Sequence, residues 1–106
     1  MENTHLTIVE LTERMNYLVQ SKGWYQTNSK RPQTARNLAI SLSLEAAEIL
    51  EHFQWRDEAQ DKNELASELA DVALYLLQLA SVSSIDLEAA ILNKIEINKT
   101  RTWDDK

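Results

Sequence analysis

The sequence predicts an all-α protein, with four helices folded into one domain over residues 1–106. The chain contains one glycine and one proline, whereas sheets joined by tight turns usually need several of both. Apolar residues recur at helical spacing along most of the chain. They make up 43% of the residues, as is typical of a globular protein, and this length is enough for one core.

The first predicted helix covers residues 4–22, where apolar side chains lie on one face. Thr4 or Thr7 can cap its start. Gly23, the only glycine, follows it and is expected to close the helix in a left-handed conformation. Residues 24–33 then form a long polar loop, and long loops in compact domains are often functional.

This loop holds two aromatic and two adjacent basic residues. Composition leaves Trp24 equally open as a plug over one end of the helices or as a ligand contact. Lys30 and Arg31 are interpreted as solvated charges, and Pro32 keeps Arg31 extended.

Three further helices are predicted, over residues 34–56, 62–81 and 87–100. Asp61 begins a capping-box pattern with Glu64 before the third helix, and Asp86 can cap the fourth. The third helix is apolar nearly all round, so it should be buried on several sides. In so short a chain, other subunits are expected to supply part of that cover.

Two pairs of carboxylates carry the strongest chemical signal. Glu45 and Glu48 lie three residues apart in the second helix, as Glu68 and Asp71 do in the third, and this spacing places each pair on one side of its helix. Residues 49–67 separate the motifs, which is enough chain for a helical hairpin that brings them face to face. Four such acids would raise each other's pKa, and Mg²⁺, which takes oxygen ligands, would relieve their repulsion.

These acids have an alternative interpretation as solvent-facing residues of amphipathic helices. That is the usual meaning of a single ExxE pair, but apolar residues surround both motifs, so the residues alone leave both interpretations open. A carboxylate-bridged di-iron site is disfavoured, because such sites use Glu-x-x-His and His52 follows Glu48 by four residues. His52 is therefore interpreted as a helix-surface or interface residue.

Composition excludes several classes of function. The formal net charge of −6 argues against binding a nucleic-acid polymer or an anionic membrane surface. A small anionic ligand stays compatible if a metal supplies positive charge. The lack of cysteine excludes disulfides, thiolate catalysis and thiolate-bound zinc. No apolar run approaches a membrane span and the N-terminal residues lack a signal-peptide pattern, so a cytoplasmic location is expected.

Three segments of the chain resemble the MazG-like all-α nucleoside triphosphate pyrophosphohydrolases, in particular the small single-domain group that includes the dCTP pyrophosphatases. These segments are residues 45–55, 68–75 and 94–98. Trp24 and residues 36–38 extend the resemblance upstream. The combination of ExxE, ExxD and Lys-x-x-x-Asn at these spacings is specific, whereas each piece alone would be weak.

The resemblance implies a four-helix bundle-like protomer that assembles into a dimer or a dimer of dimers, and we expect a homotetramer. It implies Mg²⁺-dependent hydrolysis of (deoxy)nucleoside triphosphates to monophosphate and pyrophosphate, as nucleotide-pool house-cleaning with a dCTP-like preference. Matching metal ligands are Glu45, Glu48, Glu68 and Asp71, with Glu45 or Glu48 as the candidate catalytic base. Matching substrate-binding residues are Trp24, Trp55, Tyr75, Lys94 and Asn98.

A second hypothesis is a non-catalytic helical module that binds a partner or a metal. The aromatic pair Phe53 and Trp55 would serve an interface as well as a base. Residues 25–33, Lys99 and Arg101 depart from the pattern of the family, and the sequence assigns neither their roles nor the base preference.

Overall fold

The computed structural model describes residues 5–26 and 28–102. Its elements in chain order are α1 (Ile8–Ser21), α2 (Ala35–Leu50), a 3₁₀ helix (Glu51–Phe53), α3 (Lys62–Val82) and α4 (Leu87–Lys99). No strand occurs in these described ranges, and the all-α prediction is confirmed.

The first helix begins four residues later than predicted because its cap is Thr7. The Thr7 hydroxyl accepts a hydrogen bond from the Glu10 backbone N–H at 3.1 Å, and the Glu10 carboxylate accepts one from the Thr7 N–H at 3.0 Å, which completes a capping box. Thr4 lies outside the described residues.

Gly23 closes α1 as predicted, in the left-handed conformation with φ 71°. Its N–H donates to the Gln20 carbonyl and the Trp24 N–H donates to the Val19 carbonyl, which is the Schellman arrangement. An added Cβ would meet only the Gln26 side chain, at 3.7 Å, so backbone conformation and not crowding makes glycine suitable here.

The predicted caps Asp61 and Asp86 are confirmed, and Thr34 also acts as a cap. The side chains of Thr34, Asp61 and Asp86 each accept a backbone N–H from the first turn of the helix that follows. The second helix ends at residue 50 and not at 56, because the Glu51 N–H bonds the Glu48 carbonyl three residues back and the chain tightens into the 3₁₀ helix.

The third helix ends in a second Schellman arrangement, this time without glycine. Ser84 takes a φ of 58°, its N–H donates to the Ser81 carbonyl at 3.1 Å, and the Ile85 N–H donates to the Ala80 carbonyl at 2.8 Å. The turn sets the direction of α4.

The helices pack in an open arrangement. The α2–α3 pair makes the most extensive contact, α1 packs on α3, and α4 contacts α1. A small core of Met15, Val19 and Leu77 joins α1 to α3, and Leu38 of α2 is 2% exposed. The Glu88 carboxylate accepts the Ile8 N–H at 2.9 Å and so holds the start of α4 against the start of α1.

Much of the apolar surface of the protomer stays uncovered. On α3, Leu69 is 51% exposed, although Leu77, about two turns further along, is buried. On α4, Leu92 is 59% and Ile95 is 50% exposed. The rest of the chain therefore leaves apolar residues of α3 exposed, although the composition of this helix predicts burial on several sides.

Contrary to the sequence expectation, α3 is long and apolar enough to cross a membrane, with a mean hydropathy of 1.4. The mean hydropathy is this high because α3 has few acidic residues among many leucines and alanines. One such helix is weak evidence for a span, since the core helix of a globular protein meets the same criteria.

Candidate active site

A cleft of about 600 Å³ lies between α1, the following loop, α2 and α3. Apolar side chains of α1 form one wall, and the polar and aromatic residues that line the rest are Trp24, Arg31, Gln33, Glu45, Asp71, Tyr75 and Gln78. The volume is within the usual range for small-ligand sites. The lining is apolar with a few convergent polar groups, which is typical of such sites.

The α2–α3 hairpin brings both acidic motifs to one end of this cleft. Partial burial raises the pKa of Glu45, and the charge and hydrogen bond of Glu48 raise it further. The carboxylates of Asp71 and Glu68, on the facing helix, act in the same direction. The four acids thus share one electrostatic environment, as the sequence spacing predicts.

The four acids are not arranged to coordinate a metal ion in this structure. Within the described ranges, no group of three or more His, Asp or Glu side chains is placed to hold an ion. The donor set nevertheless fits a hard cation, because it offers carboxylate oxygens from two facing helices. Burial and then repulsion from the neighbouring acids raise the pKa of Glu45, and a cation would remove that repulsion.

His52 contacts one of these acids. Its Nε2 lies 2.7 Å from Oε1 of Glu68, and its side chain is 9% exposed. The sequence interpretation of His52 as a surface or interface residue missed this contact. The 3₁₀ helix after α2 turns the imidazole towards α3, and nothing in the sequence pattern predicted that turn.

Two sets of side-chain hydrogen bonds lie at the opposite end of the cleft. Gln78 Nε2 donates to Gln33 Oε1 at 2.6 Å. The Tyr25 hydroxyl donates to Asn16 Oδ1 at 2.6 Å, and Asn16 Nδ2 donates to Ser81 Oγ at 2.8 Å. These bonds connect α1, the loop and α3.

Comparison with known proteins decides the family. The MazG-like family model matches residues 40–106, which is more than half of the chain. The chain belongs to the MazG-like family. A solved structure of a pyrophosphatase from Archaeoglobus fulgidus is 34% identical, with a TM-score of 0.73 over 93% of this chain and 94% of that one.

Relatives of this MazG-like chain carry names of nucleotide hydrolases. Human dCTP pyrophosphatase 1 is 36% identical over 75 residues, which cover 62% of this chain and 44% of the relative. A dATP/dGTP diphosphohydrolase of Salmonella phage PMBT28 is 47% identical over 38 residues, or 36% of this chain and 13% of that protein. The chain thus matches less than half the length of these curated relatives.

The structure places the predicted substrate-binding residues of the MazG-like chain in two groups. Trp24, 44% exposed, and Tyr75 line the cleft beside the acids. Trp55 is 85% exposed and does not line the cleft. Lys94 and Asn98, on exposed α4, do not line it either. The cleft of this chain therefore holds only part of the predicted set.

Two cleft residues were not expected from the sequence. Arg31, interpreted as a solvated charge, lines the same cleft as Glu45 and Asp71. Gln78 follows Asp71 and Tyr75 by seven and three residues, so it continues their stripe along α3. A glutamine at that position in an apolar helix is the signal that could have identified it.

Proposed function

We propose that this MazG-like protein is a Mg²⁺-dependent nucleoside triphosphate pyrophosphohydrolase that acts on (deoxy)nucleoside triphosphates in nucleotide-pool house-cleaning. The observation that carries the proposal is the cleft, which has acids from two facing helices at one end and aromatic and amide groups beyond them. The relatives named as dCTP pyrophosphatase, dATP/dGTP diphosphohydrolase and pyrophosphatase support it.

In this proposal Glu45, Glu48, Glu68 and Asp71 hold Mg²⁺. The cation, when bound, supplies positive charge against the triphosphate and makes a bound water more acidic. The chain offers no other compact set of carboxylates facing the cleft within the described ranges. Arg31 is the basic side chain along the same cleft, and its guanidinium suits a phosphate oxygen pair.

The reaction is the hydrolysis of the anhydride link between the α- and β-phosphates. The water oxygen forms a bond to phosphorus, and the bond to the oxygen that bridges the α- and β-phosphorus atoms breaks. The products are a nucleoside monophosphate and pyrophosphate. Glu48 or Glu45 accepts the proton of the attacking water, a role that suits a carboxylate whose pKa is raised, as that of Glu45 is. Trp24 and Tyr75 stack on the base.

We further propose a homotetramer, with a dimer as the alternative. Exposed apolar side chains along α3 and α4 support this, as does the position of Lys94 and Asn98 outside the cleft of their own protomer. In an assembly, these two residues would serve the phosphates of a site formed with another subunit.

The test is pyrophosphate release from a panel of canonical and modified triphosphates, with Mg²⁺ and with EDTA. We expect release with Mg²⁺ and none with EDTA. Glu48→Gln keeps the shape of the side chain and removes its charge, so turnover should fall by on the order of 10²-fold while the fold is kept. The matched control is Glu51→Gln, one turn further along, which should retain activity. Full turnover in Glu48→Gln would show that Glu48 is not part of the proposed site.

A partner-binding module without catalysis is the second candidate function. The observation in its favour is the exposure of Trp55, 85%, next to the partly exposed Phe53. A folded sample that is inert with every triphosphate of the panel would favour this candidate.

A further inference from the structure

Lys30 and Arg31 are adjacent cations that the sequence predicts to be solvated. In the structure they line a second cavity, of about 360 Å³, which lies between the loop and the N-terminal half of α2. This volume is within the usual range for small-ligand sites. The catalytic proposal uses Arg31 but gives no role to Lys30, and it gives none to the second cavity.

The second cavity adjoins the catalytic cleft but differs from it in charge. Arg31, Gln33 and Tyr75 line both cavities, so these three residues form a shared wall. The carboxylates of Glu45 and Asp71 line the cleft. Among the described residues, no carboxylate lines the second cavity. The second cavity is therefore cationic, although the chain as a whole has a net charge of −6.

A bend in the loop brings both cations to this cavity. Adjacent residues of an extended chain point to opposite sides, but the chain bends at Lys30 and Arg31, and both side chains line the same space. Neither forms a salt bridge with any residue that the structure describes. Like charges that share a space without a counter-charge repel each other. A bound anion would remove that repulsion.

The backbone of Arg31 is fixed by hydrogen bonds on both sides. Its N–H donates to Ser29 Oγ at 3.2 Å, and its carbonyl accepts from Gln33 Nε2 at 2.8 Å. Gln33 is in turn bonded at 2.6 Å to Gln78 of α3, which is buried. A site whose backbone is already ordered loses less conformational freedom when a ligand binds.

Neutral hydrogen-bond donors complete the lining. Ser41 and Tyr75 each carry a hydroxyl that forms no hydrogen bond with the described part of the chain. Asn37 donates one amide hydrogen to the Pro32 carbonyl at 3.0 Å and keeps the other. Cations together with N–H and O–H donors suit an anion that is rich in oxygen acceptors. Arginine and lysine are the side chains that most often bind phosphate groups.

We infer that the second cavity binds inorganic pyrophosphate, and that pyrophosphate bound there inhibits turnover by occupying Arg31. A guanidinium that holds this anion is no longer available to a triphosphate in the cleft. The inhibition rests on the proposed function, because pyrophosphate is the product that would be released next to this cavity. The binding of the anion does not depend on catalysis.

The binding test is calorimetry with inorganic pyrophosphate in EDTA, without nucleotide. Under these conditions the four acids repel the anion, so only cationic sites bind it. We expect Lys30→Gln to weaken pyrophosphate binding by about fivefold to tenfold. Lys22→Gln removes the same charge from an exposed residue outside both cavities, and salt screening should keep its effect below about twofold.

Three calorimetric results would overturn the inference. They are no binding to the wild-type protein, equal losses in Lys30→Gln and Lys22→Gln, and orthophosphate binding as tightly as pyrophosphate. Orthophosphate is the second probe because its single phosphate group cannot contact both cations as pyrophosphate can, so we expect it to bind more weakly.

Kinetics distinguish free pyrophosphate from the phosphates of the substrate. Monophosphate formation is followed with added pyrophosphate at constant free Mg²⁺, because pyrophosphate also binds this cation. We expect pyrophosphate to raise KM in the wild-type protein, and Lys30→Gln to need about fivefold to tenfold more pyrophosphate for the same inhibition. Without added pyrophosphate, Lys30→Gln should keep the wild-type kcat and KM.

Inhibition that is equal in Lys30→Gln and Lys22→Gln would overturn the inference. A raised KM in Lys30→Gln with unchanged inhibition would also overturn it, because Lys30 would then contact the substrate itself. Failure of the proposed function gives a different result, namely no monophosphate from any triphosphate. The calorimetric comparison of the two variants then decides whether the second cavity binds pyrophosphate.

Discussion

His52 fixes the orientation of a carboxylate in the acidic group through a single contact of 2.7 Å to Glu68. A carboxylate that must hold a cation needs a defined orientation, and an outer partner supplies it. In the proposed site, His52 would therefore act as a positioning residue for Glu68, although it does not line the cleft itself.

Replacing His52 tests this positioning role. His52→Leu should lower Mg²⁺-dependent turnover by about 10- to 100-fold and raise the Mg²⁺ concentration needed for half-maximal rate. His52→Gln, which can still donate to Glu68, should recover part of both losses. The measurement is the Mg²⁺ titration of pyrophosphate release, with Glu51→Gln as the control. An unchanged Mg²⁺ requirement in His52→Leu would contradict the role.

Glu10 links the stability of α1 to pH. Its bonds to the backbone and hydroxyl of Thr7 lower its pKa below the ordinary value of 4.5. A group whose pKa is lower in the folded state stabilises the fold above its unfolded-state pKa, and this contribution disappears as the pH falls through the folded-state value. As the pH falls below 4.5, we expect Glu10→Gln to lose less of its stability than the wild-type protein does. Thermal unfolding of both proteins over a pH series checks this, and parallel pH profiles would argue against it.

The sequence predicted that the two acidic motifs face each other, but it did not predict the hydrogen bond between Gln33 and Gln78. The two acidic motifs lie among core residues and are separated by the length of one helical hairpin. Helical spacing and this short connection fix the geometry, so Glu45 could be predicted to lie opposite Asp71. The bond between Gln33 and Gln78 spans 45 positions and depends on how the loop returns to α3. No periodicity encodes such a path, so only the structure shows this pair.

Helix ends were predictable where a side chain caps them. Asp61 and Asp86 predict the starts of α3 and α4, because each offers an oxygen to the first turn. Thr34 caps α2 in the same way, although it was predicted to lie inside the helix. The end of α2 was not predictable, since the apolar pattern continues through Phe53 although the hydrogen bonding has already changed to the 3₁₀ type.

The end of α3 offers a direct stability test. Ser84 holds a φ of 58°, which costs an L-residue about 1–2 kcal/mol. Ser84→Gly should therefore stabilise the protein by about 0.5–1 kcal/mol, after allowance for the greater freedom of glycine in the unfolded chain. Ser83→Gly, at a φ of −91°, relieves no such strain and should not stabilise. Urea unfolding at equal protein concentration measures both, and equal effects would refute the strain argument.

The molecule as a whole is more open than its mass predicts. Its accessible surface is 8759 Å², whereas a compact monomer of 12.2 kDa has about 6,000 Å². Its radius of gyration is 16.4 Å, against about 13 Å for a compact chain of this length. The excess surface is within the range that permanent subunit interfaces bury.

Assembly is therefore open to measurement. We expect a tetramer, or a dimer, by light scattering at micromolar concentration, and a fall in specific activity on dilution. Ile95→Asp, which charges an exposed apolar site on α4, should shift the mass towards the monomer, whereas the adjacent Glu96→Gln should not. A monomeric wild-type mass at micromolar concentration would contradict both assemblies.

The fourth helix is held against α1 at its N-terminal end. Its anchored end is the bond between Glu88 and the Ile8 N–H, and Asn98 lies ten residues beyond it, about 15 Å along the axis. A tilt of about 10° at the anchor displaces Asn98 by roughly 2.5 Å over that length. A change in the angle between α4 and α1 would therefore move Asn98 further than it moves the anchored end of the helix. In the proposed assembly, a neighbouring subunit that packs on the C-terminal half of α4 would set the final positions of Lys94 and Asn98.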